Sequence, residues 1–149
     1  MRTPATSTTR ARVRIEFEVA GVSQPKGSTK PFMPKGARFP VTTSDNPRLK
    51  DWQHAIQRAA GLEFDLQVQG PIALLATFYL PRPKSIKLGS WHLKKPDLDK
   101  LTRAVGDALT GTAYKDDSEI VSIHTHKCYA LDGTVPRARI VVEGFRPTP

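Results

Sequence analysis

The sequence predicts a single α+β domain built on a mixed four-stranded sheet with two main helices. Three observations lead to this class: segments that alternate apolar and polar residues, one short continuous apolar run, and two segments with apolar residues at helical spacing. Their order along the chain is β-α-β-α-β-β. The 149 residues fall within the usual range of about 100–200 for one domain. We expect the domain to occupy residues 11–146, with a disordered tail at 1–10 and a short tail at 147–149.

The first half of the chain contains one strand, one long loop and one helix. Residues 13–19 alternate apolar and charged side chains, which predicts a half-buried strand. Residues 21–46 are rich in Pro, Gly, Lys and Ser and predict a loop without a regular element; loops of this length are usually functional or disordered. Residues 47–61 place apolar side chains at helical spacing, with Ser44 or Asp45 as the start signal of the helix.

The second half of the chain contains a strand, a helix and two further strands. Residues 72–80 form a continuous apolar run, which predicts a central strand covered on both faces. Residues 98–109 carry the apolar stripe of a second helix. Residues 120–129 and 137–143 predict two strands, with residues 131–134 as a plausible hairpin connection between them.

The charge of the chain favours a nucleic-acid partner. There are 23 Lys plus Arg against 14 Asp plus Glu, which gives a formal net charge of +9. Such an excess provides affinity for phosphate backbones through counterion release. An inert surface of solvated lysines is the alternative.

Several classes of protein are excluded or disfavoured. Cys128 is the single cysteine, so an intrachain disulfide and a multi-cysteine zinc site are excluded, and a reducing compartment fits. No apolar run approaches the roughly 20 residues that span a bilayer, and residues 1–10 are polar, so we expect a cytoplasmic protein without membrane contact. No glycine-rich phosphate loop occurs, which argues against a nucleotide cofactor.

Carboxylates gather in one part of this basic chain. Asp97 is predicted to cap the second helix and Asp99 to lie in its first turn, where the positive end of the helix dipole favours ionised carboxylates. A tight return from this helix would bring Asp116 or Asp117 back beside them. Three carboxylates with an open side suit Mg²⁺, with Mn²⁺ as a possible substitute, because hard cations take oxygen ligands. The alternative is that these acids are ordinary cap and turn residues.

Basic and aromatic side chains surround the acidic cluster. Arg103 lies one helical turn after Asp99, where it either forms a helix ion pair or points at a scissile phosphate. The side chains expected to bind the DNA backbone are Lys26, Lys30, Lys35, Arg38, Lys94 and Lys95. The aromatic residues that could stack on unpaired bases or fold back on the core are Phe32, Phe39 and Trp91. His92 could orient water or contact phosphate, whereas His124 and His126 are interpreted as exposed polar residues more readily than as metal ligands.

Residues 95–120 resemble the signature of the RusA-type Holliday-junction resolvases, which are common in phages and prophages. The matching segments are Lys95-Pro96-Asp97-Leu98-Asp99, Leu101, Arg103-Ala104, Asp107-Ala108-Leu109-Thr110-Gly111 and Tyr114-Lys115-Asp116-Asp117-Ser118-Glu119-Ile120. In addition, Gln24-Pro25-Lys26-Gly27 is similar to the basic opening loop of the phage branch. The resemblance implies a RusA-like fold and a homodimeric, magnesium-dependent endonuclease that nicks two strands of a four-way DNA junction in recombination and repair.

The resemblance also implies roles for individual residues. Asp97, Asp99 and Asp117 match the metal-binding aspartates of the family, and Asp116 is the adjacent acid. This chain departs from the family in having Lys100 where Asn is usual and Arg103 where a catalytic Lys is usual. Arginine keeps the charge but is effectively never deprotonated, so Arg103 can stabilise the transition state but cannot donate a proton, and Lys100 could take over part of that role. The residues expected to act in catalysis are Asp97, Asp99, Lys100, Arg103 and Asp117.

Two alternatives to a junction resolvase remain open at the level of sequence. One is a non-catalytic DNA-binding or packaging protein whose acids are structural. The other is a nuclease selective for flaps or replication forks. Metal dependence separates the first from an enzyme, and dimer symmetry favours the junction over the second, because two coordinated cuts need two sites related by a two-fold axis.

Overall fold

The structure of the chain is a computed structural model that describes residues 10–27, 29–33, 35–39, 41–44 and 46–148. Residues 1–9 of the predicted N-terminal tail and residue 149 of the predicted C-terminal tail lie outside the described residues. The elements are, in chain order, β1 (Arg12–Ala20), β2 (Thr29–Phe32), β3 (Val41–Ser44), α1 (Leu49–Glu63), β4 (Gln69–Leu80), α2 (Leu98–Leu109), β5 (Ile120–Tyr129) and β6 (Arg137–Phe145), with one 3₁₀ turn at Asp117–Glu119 before β5. Within the described residues, no helix is long and apolar enough to cross a membrane.

The main sheet has four strands in the order β1-β6-β4-β5. β5 runs parallel to β4, whereas β6 is antiparallel to both β1 and β4. Leu74 and Phe78 of β4 are fully buried and share one core with Ile56 of α1 and with Leu101 and Val105 of α2. The predicted mixed four-stranded sheet, two helices and element order are therefore confirmed.

Two predictions about β4 and its neighbours are wrong. Only alternate residues of β4 are buried, because both helices pack on the same face; Leu75 and Tyr79 on the other face are half-buried. The sheet therefore has an open face opposite the helices. The predicted β5–β6 hairpin does not form either, because β4 lies between these strands. An apolar central strand gains a hydrogen-bonded neighbour on each edge this way, and the connection from Ala130 to Pro136 is long enough to cross it.

The stretch 21–46 is also more regular than predicted. β2 and β3 pair antiparallel, with Thr29 opposite Ser44 and Phe32 opposite Val41. Each strand has four residues, too few for the period-two pattern to show in the sequence.

The start of α1 also differs from the prediction. Ser44 lies in β3, and Asp45 is outside the described residues. The signal is instead Asn46, whose Oδ1 accepts a hydrogen bond from the backbone N–H of Arg48 at 3.1 Å. Its backbone carbonyl also accepts from the N–H of Leu49 at 3.2 Å. Asn46 thus forms a turn that leads into the helix, while the N-cap residue Arg48 makes no side-chain capping hydrogen bond.

Candidate metal centre and phosphate site

The N-terminus of α2 presents its first two carboxylates to solvent. Asp97 is the N-cap residue, with extended backbone angles of φ −71° and ψ 138°, and its side chain makes no capping hydrogen bond. Instead, its carboxylate lies 3.6 Å from the ammonium of Lys100. Asp99 lies in the first turn of the helix, as predicted. The N-terminal end of the helix dipole favours the ionised form of both carboxylates.

The turn before α2 is held by a lysine of β5. Lys127 Nζ donates to the carbonyl oxygens of Lys94 at 2.6 Å and Pro96 at 2.9 Å. The side chains of Lys94 and Lys95 remain exposed beside the helix start. Sequence reasoning missed Lys127; the signal was a lysine at a strand position that turns towards the helices, next to Phe78 in the register.

The return from α2 to β5 is fixed by a buried tyrosine. Tyr114 is fully buried, and its hydroxyl donates to the carbonyl oxygen of Gly106 at 2.7 Å. Its own carbonyl accepts from the N–H of Gly111 at 2.8 Å, where a positive φ of 89° suits glycine. These contacts turn the chain back along α2. The return brings Asp117 to a cleft that Asp99 also lines and Asp97 does not.

The helix, the return and β5 enclose a cleft of about 740 Å³, which we call the carboxylate cleft. Its polar lining comes from Asp99, Arg103, Asp107 and Asp117, and its apolar lining includes Leu98 and Ile123. The hydroxyls of Thr102 and Thr125 are hydrogen-bonded at 2.9 Å, which joins α2 to β5 at the cleft. Asp107 was part of the matched signature but was not predicted as a site residue; its signal was the four-residue spacing from Asp99 through Arg103, which places all three on one helix face.

The other predicted acids lie apart from the carboxylate cleft. Asp97 is not among the residues that line it. Asp116 turns to the opposite side of the return, where its carboxylate accepts from the backbone N–H of Ser118 at 2.9 Å and faces a different cleft. Two of the four predicted metal ligands, Asp99 and Asp117, therefore share the carboxylate cleft.

The carboxylates of the cleft are the type of ligand that Mg²⁺ takes, but they do not surround a metal site by themselves. Among the described residues, no three Asp, Glu, His or Cys side chains are grouped closely enough to hold a metal by themselves. Mg²⁺ is commonly bound by one or two carboxylates, with substrate phosphate oxygens and water completing its shell. Asp99 and Asp117 can supply such a pair, whereas the predicted three-carboxylate set is not assembled within the described chain.

Asp117 sits in an unfavourable electrostatic environment. Loss of hydration, the neighbouring Asp116 and the charge of Asp107 raise the pKa of the Asp117 carboxyl, and the charge of Lys26 partly opposes this. By contrast, hydrogen bonds from Ser118 and from Asp117 lower the pKa of Asp116. Like charges held together at a cleft are a feature of functional sites. A divalent cation would relieve this repulsion.

The predicted DNA-binding cations divide into two groups. Lys26 lies at the site, where its ammonium forms an ion pair with Asp107 and its backbone N–H donates to the carbonyl oxygen of Lys100 at 3.0 Å. The other cations with described side chains are exposed on the surface, namely Lys35, Arg38, Lys94 and Lys95. The side chain of Lys30 lies outside the described part of the structure.

Arg103 is exposed on the cleft side of α2. In the part of the chain that the structure describes, no ion pair joins it to Asp99. The alternative of a helix ion pair is therefore not what the structure shows.

The aromatic and histidine candidates lie away from the carboxylate cleft. Trp91 and Phe39 are 83% and 76% exposed, so neither folds back on the core, while the side chain of Phe32 is outside the described residues. His92 is buried, and its ring packs 4.4 Å from that of Tyr129. Burial and the charge of Lys127 lower the pKa of His92. It therefore packs in the fold and does not line the cleft.

The two histidines of β5 lie on the open face of the sheet. His126 Nε2 is 2.9 Å from the hydroxyl of Thr77, and His124 pairs in register with Leu75. Neither belongs to a group of three potential metal ligands among the described residues. This agrees with their interpretation as polar surface residues.

A basic α+β domain that gathers aspartates and an arginine at a helix start and a strand entry belongs to the class of candidate phosphodiester-cleaving enzymes. The profile of a family described as "Endodeoxyribonuclease RusA" matches residues 23–143, which include both helices and the whole carboxylate cleft. The chain belongs to the RusA endodeoxyribonuclease family, as the resemblance predicted.

The chain is also similar to a bacterial protein whose description names no function. The chain is 29% identical over 86 residues to the "Uncharacterized protein YqaN" of Bacillus subtilis (strain 168). The match spans 50% of this chain and 58% of that protein, less than two thirds of its length.

Proposed function

We propose that the protein is a Mg²⁺-dependent endodeoxyribonuclease that resolves four-way DNA junctions by paired nicks. The observation that carries the proposal is the carboxylate cleft, which groups Asp99, Asp107 and Asp117 with Arg103 in a chain of net charge +9. Membership of the RusA family supports a nuclease. A cleft that combines acids for a cation with a guanidinium for phosphate suits phosphodiester hydrolysis.

Asp99 and Asp117 are the residues that would hold the metal, and Asp97 at the cap, two residues before Asp99, is the further ligand that the family resemblance implies. A bound Mg²⁺ would supply an activated water and charge neutralisation at the leaving oxygen. Mn²⁺, which also accepts carboxylate ligands, is expected to substitute. The raised pKa of Asp117 supports this assignment, because a cation placed among these acids would favour their ionised forms.

Arg103 would contact the scissile phosphate, and Lys100 would contact either Asp97 or the phosphate. Arg103 is free of ion pairs within the described residues, so its guanidinium can stabilise charge that develops on the scissile phosphate. Lys100 lies 3.6 Å from Asp97, so it would orient that carboxylate or move to the phosphate when DNA arrives. The exposed lysines at 35, 94 and 95, with Arg38, would bind the DNA backbone, which makes the affinity strongly dependent on salt.

A homodimer is part of the proposal. Two coordinated nicks across a four-way junction need two sites related by a two-fold axis, and a two-fold dimer provides them. The branched geometry of the substrate would then be selected by the spacing of two clefts. A flap or fork, which offers one cut, would be a poorer substrate.

The test is cleavage of a synthetic four-way junction, a matched linear duplex and a flap, each with Mg²⁺ or EDTA. Wild type is compared with Asp99→Asn and with the control Asp132→Asn, whose carboxylate pairs with Arg82 at 2.8 Å away from the cleft. We expect paired, metal-dependent nicks on the junction, lost in Asp99→Asn and kept in Asp132→Asn. Equal cutting of the flap would favour the flap or fork nuclease. Binding without cutting in Mg²⁺ or Mn²⁺ would leave a DNA-binding protein built on a nuclease fold.

A further inference from the structure

The segment that follows β1 is fixed against the start of α2. The N–H of Gly21 donates to the carbonyl oxygen of Pro136 at 2.9 Å, and the N–H of Lys26 donates to that of Lys100 at 3.0 Å. The side-chain amide of Asn46 donates to the carbonyl oxygen of Pro25 at 2.8 Å. These hydrogen bonds fix the backbone from Gly21 to Lys26 against neighbouring segments of the fold.

The side chain of Lys26 reaches the acids of the site. Its ammonium forms an ion pair with the carboxylate of Asp107, across 81 residues of sequence. Together with Gln53 and Gln57 it lines a second cleft of about 340 Å³, which we call the lysine cleft. Asp107 and Asp117 line the carboxylate cleft and the lysine cleft alike. Lys26 and Arg103 thus approach the same two carboxylates from two different clefts.

The ion pair leaves the ammonium able to bind a second anion. A lysine ammonium has three N–H donors, and Asp107 needs only one or two of them. Both side chains are partly open to solvent, at 34% for Lys26 and 28% for Asp107. A phosphate that enters between the clefts can therefore be contacted by Lys26 while Asp107 keeps the ammonium in place. Preorganised charge of this kind needs no rearrangement at the moment of reaction.

We propose that Lys26 is a catalytic residue that contacts the scissile phosphate opposite Arg103, and that Asp107 is a positioning residue that holds its ammonium. The inference rests on the proposed nuclease function. It differs from the sequence-based prediction, which placed Lys26 with the cations that bind the DNA backbone. It also gives a role to Asp107, which is not one of the two proposed metal ligands, Asp99 and Asp117. Lys26 makes no covalent bond and transfers no proton in this role; it stabilises the charge on the phosphate oxygens.

The experiment separates the rate of cutting from the affinity for DNA. Single-turnover cleavage of the four-way junction is measured with saturating protein, and junction affinity is measured separately in EDTA over a range of salt. The variants are Lys26→Met, Lys26→Arg and Asp107→Asn, with Lys50→Met as a matched control because Lys50 is an exposed lysine of α1 outside both clefts. Thermal unfolding of each variant is measured in parallel.

The expected result is a loss of rate without a matching loss of affinity. Lys26→Met should lower the saturating rate about 100-fold, the effect typical of removing one transition-state donor. Lys26→Arg should restore most of the rate because it keeps the charge, and Asp107→Asn should lose about tenfold because the ammonium is no longer held. Lys50→Met should behave as wild type.

Three results would overturn the inference. If Lys26→Met keeps the saturating rate and instead weakens binding, with a salt slope lower by about one, Lys26 is a backbone contact. If its rate loss follows the loss of thermal stability in every variant, the ion pair is structural. A wild type that cuts no junction overturns the proposed function and the inference together, and so differs from the two outcomes in which wild type cuts normally.

Discussion

The open face of the sheet and the carboxylate cleft are both rich in charge, but they arrange it in opposite ways. On the open face, acids and arginines of β1 and β6 alternate across the strand pair, and each glutamate has an arginine partner: Glu16 with Arg14 and Arg139, Glu143 with Arg14, and Glu18 with Arg137. In the carboxylate cleft, no ion pair among the described residues reaches Asp99 or Asp117.

The pKa shifts of the two regions have opposite directions. Hydrogen bonding to Arg139 lowers the pKa of Glu16, so its charge is stabilised by the fold. The pKa of Asp117 is raised, so its charge is opposed by the fold. Paired charges need no ligand to be stable, whereas acids held together without partners are stable only when something else compensates them. This difference supports the proposed role of the cleft as the functional region, whereas the paired charges of the open face need no ligand.

The largest effect is expected when one carboxylate of the carboxylate cleft is removed. Asp117→Asn removes one oxygen ligand with almost no change in shape, so junction cleavage in Mg²⁺ should fall at least about 100-fold. Glu16→Gln removes an acid from the open face and should leave cleavage at the level of wild type. Single-turnover rates on the four-way junction decide the matter. A comparable loss in both variants would mean that net charge, not the cleft, controls cutting.

The fold shows which features a sequence of this kind can predict. The alternation of β1 and the helical stripe of α2 predict these elements almost residue by residue, because each buries one face. The position of β6 next to β4 could not be predicted from the sequence. A short connection between β5 and β6 predicts a hairpin, and no sequence pattern near it indicates that β4 lies between the two strands. The open face was missed for a related reason. An apolar run shows that a strand is central, but it does not show how many faces are covered.

Contacts in the site between residues far apart in the sequence could not be predicted either. Asp99 and Asp117 were predicted together because both belong to one continuous stretch that folds back on itself. For Lys26 the sequence predicts only a contact with the DNA backbone, because no local pattern connects it to Asp107, its partner 81 residues away. The hydrogen bonds from Lys127 to the turn before α2 could not be predicted either, because their acceptors are backbone carbonyls and every residue has one.

A smaller effect is expected from the hydrogen bond that holds the return from α2 to β5 beside the cleft. Tyr114→Phe removes the hydroxyl that donates to the carbonyl oxygen of Gly106, which keeps only the hydroxyl of Thr110 as a side-chain donor, at 3.1 Å. Loss of one hydrogen bond whose acceptor keeps another donor costs about 0.5–1.5 kcal/mol, which corresponds to a decrease in Tm of about 2–5 °C for a domain of this size. Cleavage should also decrease, because the return that carries Asp117 loses its anchor.

The control for Tyr114 lies on the open face. Tyr79 stacks against the guanidinium of Arg137 at 4.0 Å, and its hydroxyl makes no hydrogen bond among the described residues. Tyr79→Phe keeps the ring and this contact, so it should change neither Tm nor cleavage. Scanning calorimetry on both variants tests the difference. Equal Tm values for the two variants would show that the Gly106 hydrogen bond does not support the return.

The pairs on the open face should contribute a still smaller effect. Glu16→Gln removes the charge that Arg14 and Arg139 share, and exposed pairs contribute little, so Tm near pH 7 should decrease by about 1–3 °C at low salt. Because the folded-state pKa of Glu16 is lowered, its contribution is present above the ordinary value of 4.5 and is lost as the pH falls below it. The Tm difference from wild type should therefore shrink in acid and in high salt. A difference that persists at low pH would assign the effect to packing.

The smallest expected effect has the opposite sign and comes from the same residue as the largest. The folded-state pKa of Asp117 is raised, so the folded protein holds this proton more tightly than the unfolded chain does, and stability falls as the pH rises above the ordinary value of 3.8. Asp117→Asn abolishes that loss, so its Tm near pH 7 without metal should exceed that of wild type by about 1 °C, and the two should converge below pH 3.8. Added Mg²⁺ should reverse the order by stabilising wild type alone. A lower Tm for Asp117→Asn in EDTA would show that this carboxylate supports the fold, and the cleft would then lose its contrast with the open face.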